Sequence, residues 1–142
     1  MSQLVAILDF GSQYTQLIAR RVRELGVYSE IYSPFISKDD LAEKDPAAII
    51  LSGGPASIND PDAPHPDPDI LALDVPVLGI CCGMQWLTKA KGGVVEHSDS
   101  REYGKAEIKV LESSDLLSES MDSSQVWMSH GDHVDVAPKG FR

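Results

Sequence analysis

The sequence predicts an α/β domain: an open, mostly parallel sheet with helices on both faces. Short apolar runs at Leu4–Leu8, Ala47–Leu51 and Val75–Ile80 have strand length and little polar alternation, as strands buried on both faces require. Segments with helical spacing separate these runs, and alternating strand and helix with short connections implies parallel pairing. Polar or glycine-rich turns follow the strands, at Asp9–Gln13, Ser52–Pro55 and Gly79–Gln85. In such sheets ligands sit beyond the carboxyl ends of the strands, so the three turns are expected to meet in space.

Each element has its own signal. Leu4–Leu8 is bounded by Asp9-Phe10-Gly11, and Tyr14, Leu17, Ile18, Val22 and Leu25 then recur at helical spacing up to Gly26, a helix-ending residue. Val27–Tyr32 reads as a strand ended by Ser33-Pro34. Ser37-Lys-Asp-Asp40 has the form of a capping box opening a short helix to about Lys44. Ala47–Leu51 stops at Ser52-Gly53-Gly54-Pro55. From Ala56 to Asp69, prolines at 61, 64, 66 and 68 predict a solvated, partly extended loop. A short helix around Asp69–Leu73 leads to Val75–Ile80, and Met84–Lys91 forms a helix closed by Gly92-Gly93. Ala106, Ile108 and Val110 in alternation, then Gln125–Met128, predict added antiparallel strands.

Composition narrows the function classes. The 142 residues suit one domain, and 42% apolar with 24% charged residues is ordinary for a globular protein. Twelve basic against twenty-two acidic residues give a net charge of −10. That argues against nucleic-acid or anionic-membrane surfaces, which need clustered Lys and Arg. Arg20, Arg21 and Arg23 read as a solvated helix face. No signal peptide is expected at Met1-Ser-Gln-Leu, and no run approaches the roughly twenty apolar residues of a membrane span. The only two cysteines are adjacent, which suits a reducing compartment, and the expected location is cytoplasmic.

Gly79-Ile-Cys-Cys-Gly83 has the form G-x-nucleophile-x-G between a strand and a helix. A sharp turn there projects Cys81 above the sheet, and crowding makes glycine necessary on either side. The helix beyond points backbone N–H groups at the sulfur, which favours thiolate over a thiol of ordinary pKa about 8.5. Attack on an amide carbonyl needs donors for the developing oxyanion. The N–H of Cys82 is one candidate, and Gly53 or Gly54 supplies another.

Leu51-Ser-Gly-Gly-Pro55, Gly79-Ile-Cys-Cys-Gly-Met-Gln85 and Val126-Trp-Met-Ser-His-Gly-Asp132 occur in the order and spacing of class I glutamine amidotransferases. With Ile7–Gly26 and Arg101-Glu-Tyr-Gly-Lys-Ala-Glu-Ile108, the chain resembles the amidotransferase domain of the GMP synthetase family, on a flavodoxin-like sheet. The resemblance covers essentially the whole chain. It implies Cys81 as nucleophile, forming a glutamyl thioester and releasing ammonia. It implies Gly54 and Cys82 as backbone donors of the oxyanion hole, and Gln85 as a residue that helps hold glutamine. Ser129, His130, Gly131 and Asp132 match a loop whose backbone engages the substrate's amino and carboxylate groups. In the family, ammonia passes to an ATP-pyrophosphatase domain, in the same chain or on a separate polypeptide. There ATP and Mg²⁺ activate XMP for amination to GMP, and the full enzyme is expected to be a homodimer. Residues 1–142 then form a partial amidotransferase domain that binds L-glutamine and no cofactor of its own, without the ATP-pyrophosphatase and dimerisation domains.

The family's base and its orienting group, a His and a Glu in a Phe-His-Pro-Glu type segment, have no counterpart in these residues. His65-Pro66 is followed by Asp67, inside the proline-rich loop. The expectation is a chain of little or no glutaminase activity, with part of the sheet lacking and an apolar edge exposed. The alternative is a non-catalytic regulatory or interaction module on the same fold; a cysteine-based redox protein is more remote. Cys82 stands where the family has a larger residue, and Thr88-Lys-Ala-Lys-Gly-Gly93 replaces a more apolar helix end. No metal is expected. His130 and His133 lack a third ligand at metal spacing, and the Asp60–Asp69 loop has prolines and no terminal bidentate Glu for calcium.

Overall fold

The computed structural model describes residues 3–142, and of residues 100–102 only the backbone. The leader reading at Met1 and Ser2, and the side chains of Arg101 and Glu102, lie outside the described residues. Residues 3–97 with 132–142 form one compact unit; Ser98–Gly131 form a second.

The first unit holds a parallel sheet of β1 (Leu4–Leu8), β2 (Tyr28–Tyr32), β3 (Pro46–Leu51) and β4 (Val77–Gly79) in the order β2-β1-β3-β4. Leu8 lies opposite Leu51, and Leu51 opposite Gly79. The turns after β1, β3 and β4 therefore leave the sheet at one level, as the sequence predicts.

The helices are α1 (Thr15–Glu24), α2 (Lys38–Glu43) and α3 (Cys82–Ala90), with a 3₁₀-helix at Pro68–Ala72. The β1-to-β2 and β2-to-β3 connections step in opposite directions, so right-handed crossovers put α1 and α2 on opposite faces. Burial agrees. Ala6, Leu8, Ile49 and Leu51 share a core with Leu41 of α2, Ile70, and Cys82 and Trp86 of α3. Ile7 is fully buried outside that cluster, and the helix on its side, α1, buries Thr15 and Ala19.

Several boundaries follow the sequence closely. Ser37 caps α2, accepting from the Asp40 N–H at 3.1 Å and donating to its carboxylate at 2.8 Å. Gly26 and Gly92, at φ 79° and 89°, close α1 and α3. At the α3 end, Gly93 N–H donates to Thr88 O and Gly92 N–H to Lys89 O, so the polar Thr88–Lys91 stretch still finishes the helix.

Other expectations need correcting. In α1 the inward stripe is Thr15 and Ala19, with Ile18 and Val22 partly buried, whereas Tyr14, Leu17 and Leu25 are exposed. Tyr14 and Leu17 have helical spacing, but on the flank of the helix. Arg23 is not merely solvated: its guanidinium donates twice to Ser29 O, at 3.1 and 2.6 Å. Nor is the proline-rich loop wholly solvated, because Ile58 and Ala63 belong to the core. β4 is shorter than its apolar run; it lies at a sheet edge, with Leu78 and Ile80 each 36% exposed. Helix α3 begins two residues earlier than the periodicity suggests.

Beyond α3, β5 (Val94–Glu107) and β6 (Gln125–Val136) form a two-stranded sheet. Contacts run from His97–Asp132 to Ile108–Ser124, an antiparallel order. β5 starts a dozen residues before the predicted alternation, because Glu96, His97, Ser98 and Asp99 hide a strand from any apolar pattern. Among the described residues, no helix is long and apolar enough to cross a membrane.

Candidate active site

At the junction of β4 and α3 the backbone turns at Cys81, with φ 50° and ψ −113°. A non-glycine residue in this region carries strain of order 1–3 kcal/mol, which its surroundings must hold. They do so through hydrogen bonds on both sides. Ile80 N–H donates to Leu51 O at 2.9 Å, Gly83 N–H to Ser52 O at 3.1 Å, and Gln85 N–H to Cys81 O at 3.0 Å.

The flanking glycines are steric requirements. A Cβ on Gly79 would stand 2.6 Å from Met84 Cα, and one on Gly83 would stand 2.4 Å from Leu51 O. Both distances are far inside contact, so helix, corner and β3 fit together only without those side chains. Cys81 is left partly exposed.

The three turns converge on it. A Cβ on Gly53 would lie 3.3 Å from Cys81 Cβ and 4.0 Å from Ser12 Oγ. Gly54 is pressed against β1's exit, where a Cβ would come within 2.2 Å of Phe10 O. Ser52 Oγ, fully buried, accepts from Phe10 N–H at 2.9 Å and donates to Gly53 O at 3.0 Å. The Thr15 hydroxyl donates to Asp9 at 2.8 Å and lies 3.2 Å from Ser52 Oγ. A small polar lattice thus ties the β1 and β3 turns beside the thiol.

Cys82 opens α3, and residues of a first helical turn have no intrahelical carbonyl for their N–H groups. Its side chain points into the core and is 1% exposed. Burial, then the neighbouring Cys81 and Asp132, push its thiol up to about 11. Backbone donation and side-chain packing are therefore separate at this residue.

Gln85 and Asp132 are also brought together. Both are buried, and Gln85 Nε2 donates to the backbone carbonyl of Asp132 at 3.1 Å. The Asp132 carboxylate accepts from the Ser57 hydroxyl, faces His97 Nδ1 at 2.7 Å and accepts from the Ile58 N–H. Burial alone pushes this carboxyl up, but the Ser57 and His97 hydrogen bonds, the His97 charge and the Ile58 N–H outweigh it and hold the group below the ordinary range.

Ser129, His130 and Gly131 belong to the second unit and lie inside β6. The segment expected to be a loop is strand, because β5 supplies a partner along its length. Ser57 and His97 carry no local signal of a shared carboxylate: one is a serine in a proline-rich loop, the other a histidine on a strand without apolar alternation.

The chain matches the family described as glutamine amidotransferase class-I over residues 6–142. It is similar to the glutamine-hydrolyzing GMP synthase of Corynebacterium jeikeium, with 52% identity over 138 residues, covering 96% of this chain and 26% of that protein. The enzyme of the same name from Desulfotalea psychrophila is 55% identical over 139 residues, covering 96% and 27%. The chain thus spans about a quarter of the length of the curated relatives it matches. A solved structure of a GMP synthase subunit from Thermoplasma acidophilum superposes with a TM-score of 0.80 at 26% identity, covering 98% of this chain and 70% of that one. A glutamine amidotransferase from Methylobacillus flagellatus shares the fold, with a TM-score of 0.63 at 22% identity, covering 98% and 58%.

Proposed function

This chain belongs to the class-I glutamine amidotransferase family, and on that premise we propose that Cys81 attacks the side-chain amide of L-glutamine to release ammonia. The observation that carries the reading is the corner at Cys81, held at φ 50° on the N-terminus of α3 with Gly53 beside it.

The chemistry balances in two steps. The Cys81 sulfur adds to the amide carbon, the C–N bond breaks, and the nitrogen leaves as ammonia after taking a proton. Water then cleaves the glutamyl thioester, giving glutamate and restoring the thiol. The oxygen is negative in each tetrahedral intermediate, and N–H groups of Gly54 and Cys82 stabilise it. Gln85 holds the Asp132 backbone, and backbone groups of Ser129, His130, Gly131 and Asp132 engage the amino-acid end of glutamine.

Proton transfer needs a base beside the sulfur. No His-Pro-Glu segment occurs in the 142 residues, so the base is assigned to residues beyond them. The ammonia serves an ATP-pyrophosphatase domain, in the same polypeptide or on a separate one, within a homodimeric cytoplasmic enzyme. That domain aminates XMP to GMP; its ATP and Mg²⁺ are assigned no ligand here. The relatives at 52% and 55% identity support this assignment.

The test is a glutaminase assay on the 142-residue chain. Ammonia release is expected to stay at the background of the Cys81→Ala variant. Substantial release that Cys81→Ala abolishes would remove the requirement for an external base.

A further inference from the structure

Outside the site, Glu96 of β5 and His133 and Asp135 of β6 place one ligand atom each within 4.8 Å of the others. All three are exposed. Their alternation partners, Val95 with Asp132 and Val134, face inward as buried or partly buried residues, so the trio shares the outer face of the two-stranded sheet. His133 and Asp135 stand two residues apart on one strand, and Glu96 reaches across from the other.

The geometry points to a site for a first-row divalent transition metal of the Zn²⁺ or Co²⁺ type, bridging β5 and β6. The donor set is one imidazole nitrogen and two carboxylate oxygens, a mixture that suits such ions better than Ca²⁺ or Mg²⁺. Donors bound to one tetrahedral ion at about 2.1 Å lie ~3.4 Å apart. The three atoms must close in by an ångström or so, within reach of rotamer adjustment in exposed side chains. Among the described residues, neither carboxylate has a cationic partner, and the only ion pairs are Arg21–Glu24 and His97–Asp132. Two negative groups are thus held together without compensation, in a chain of net charge −10. The backbone platform is fixed from its inner face by the His97–Asp132 contact. Three protein ligands leave positions open for water or an exogenous group.

Linear spacing hides the site: His133-Val-Asp135 is a weak motif, and Glu96 lies on another strand. The site is independent of the Cys81 chemistry, and its test keeps the two apart. Titrating the 142-residue chain with Co²⁺ is expected to give one saturable site, with ligand-field bands and no thiolate-to-cobalt charge-transfer band. His133→Ala, Glu96→Gln and Asp135→Asn are each expected to weaken binding about tenfold or more, since even the loss of an outer-shell partner weakens metal sites that much. His65→Ala should leave it unchanged. Calorimetry with Zn²⁺ alone should rank the variants in the same way. A thiolate band, an absence of saturable binding, or affinity unchanged in both His133→Ala and Glu96→Gln would overturn the assignment.

Discussion

Gln85 donates its side-chain amide to the backbone carbonyl of Asp132 at 3.1 Å, joining α3 to β6 within one unit of the fold. The residue four positions beyond the candidate nucleophile is thereby committed to backbone. Its first effect is to place the strand on which the proposed substrate groups lie. Removing it as Gln85→Ala leaves a buried carbonyl without this donor and should cost about 1–3 kcal/mol in urea unfolding. The variant should also slow labelling of Cys81 by a glutamine chloroketone more than labelling by iodoacetamide. Equal slowing by both reagents would mean that Gln85 acts on the thiol rather than on substrate placement.

Crowding at the corner makes a second prediction. Gly79→Ala forces a methyl group to 2.6 Å from Met84 Cα, and Gly83→Ala forces one to 2.4 Å from Leu51 O. Each should destabilise the domain by about 1–3 kcal/mol, the usual cost of overpacking, or more where backbone cannot yield. An unfolding free energy within experimental error of the parent chain would show that the corner is looser than these contacts require.

The two cysteines should differ sharply as nucleophiles. Cys82 is 1% exposed and its thiol is raised to about 11, so it is both inaccessible and protonated at neutral pH. A thiol reagent should modify one cysteine in the native chain, mapped to Cys81 by mass spectrometry, and two after denaturation. Rapid native modification of Cys82 would contradict its place in the core.

Asp132 sets a pH dependence. Its carboxyl is held below the ordinary value of about 3.9, so the unfolded chain binds this proton more tightly than the folded one. The stabilisation is fully present above that ordinary value and is lost as pH falls through the lowered native one. The stability gap between the parent chain and Asp132→Asn should therefore narrow on acidification below about pH 4. A gap that stays constant down to acid unfolding would contradict the shift.

Much of the fold was legible because its signals are local. The run Leu4–Leu8, the capping residues Ser37 and Asp40, and the helix-ending Gly26 and Gly92 each declare their structure within a few residues. The corner at Cys81 was legible for the same reason, since Gly79 and Gly83 are required by atoms close in sequence or in the adjoining strand. What stayed hidden depends on distant pairing. β5 is strand because β6 lies beside it, Ile58 is buried because the core needs it, and Ser57 meets His97 only through Asp132. The flank residues Tyr14 and Leu17 misled because helical spacing does not say which stripe faces the sheet.

The most direct measurement compares how fast Cys81 is alkylated by the chloroketone of glutamine and by that of norleucine, which lacks the side-chain amide. A site that holds the amide and positions the sulfur against it should favour the glutamine reagent at least about tenfold, the 1.4 kcal/mol that one or two hydrogen bonds supply. Equal rates for the two reagents, or alkylation that spares Cys81, would contradict the assignment of this corner to glutamine.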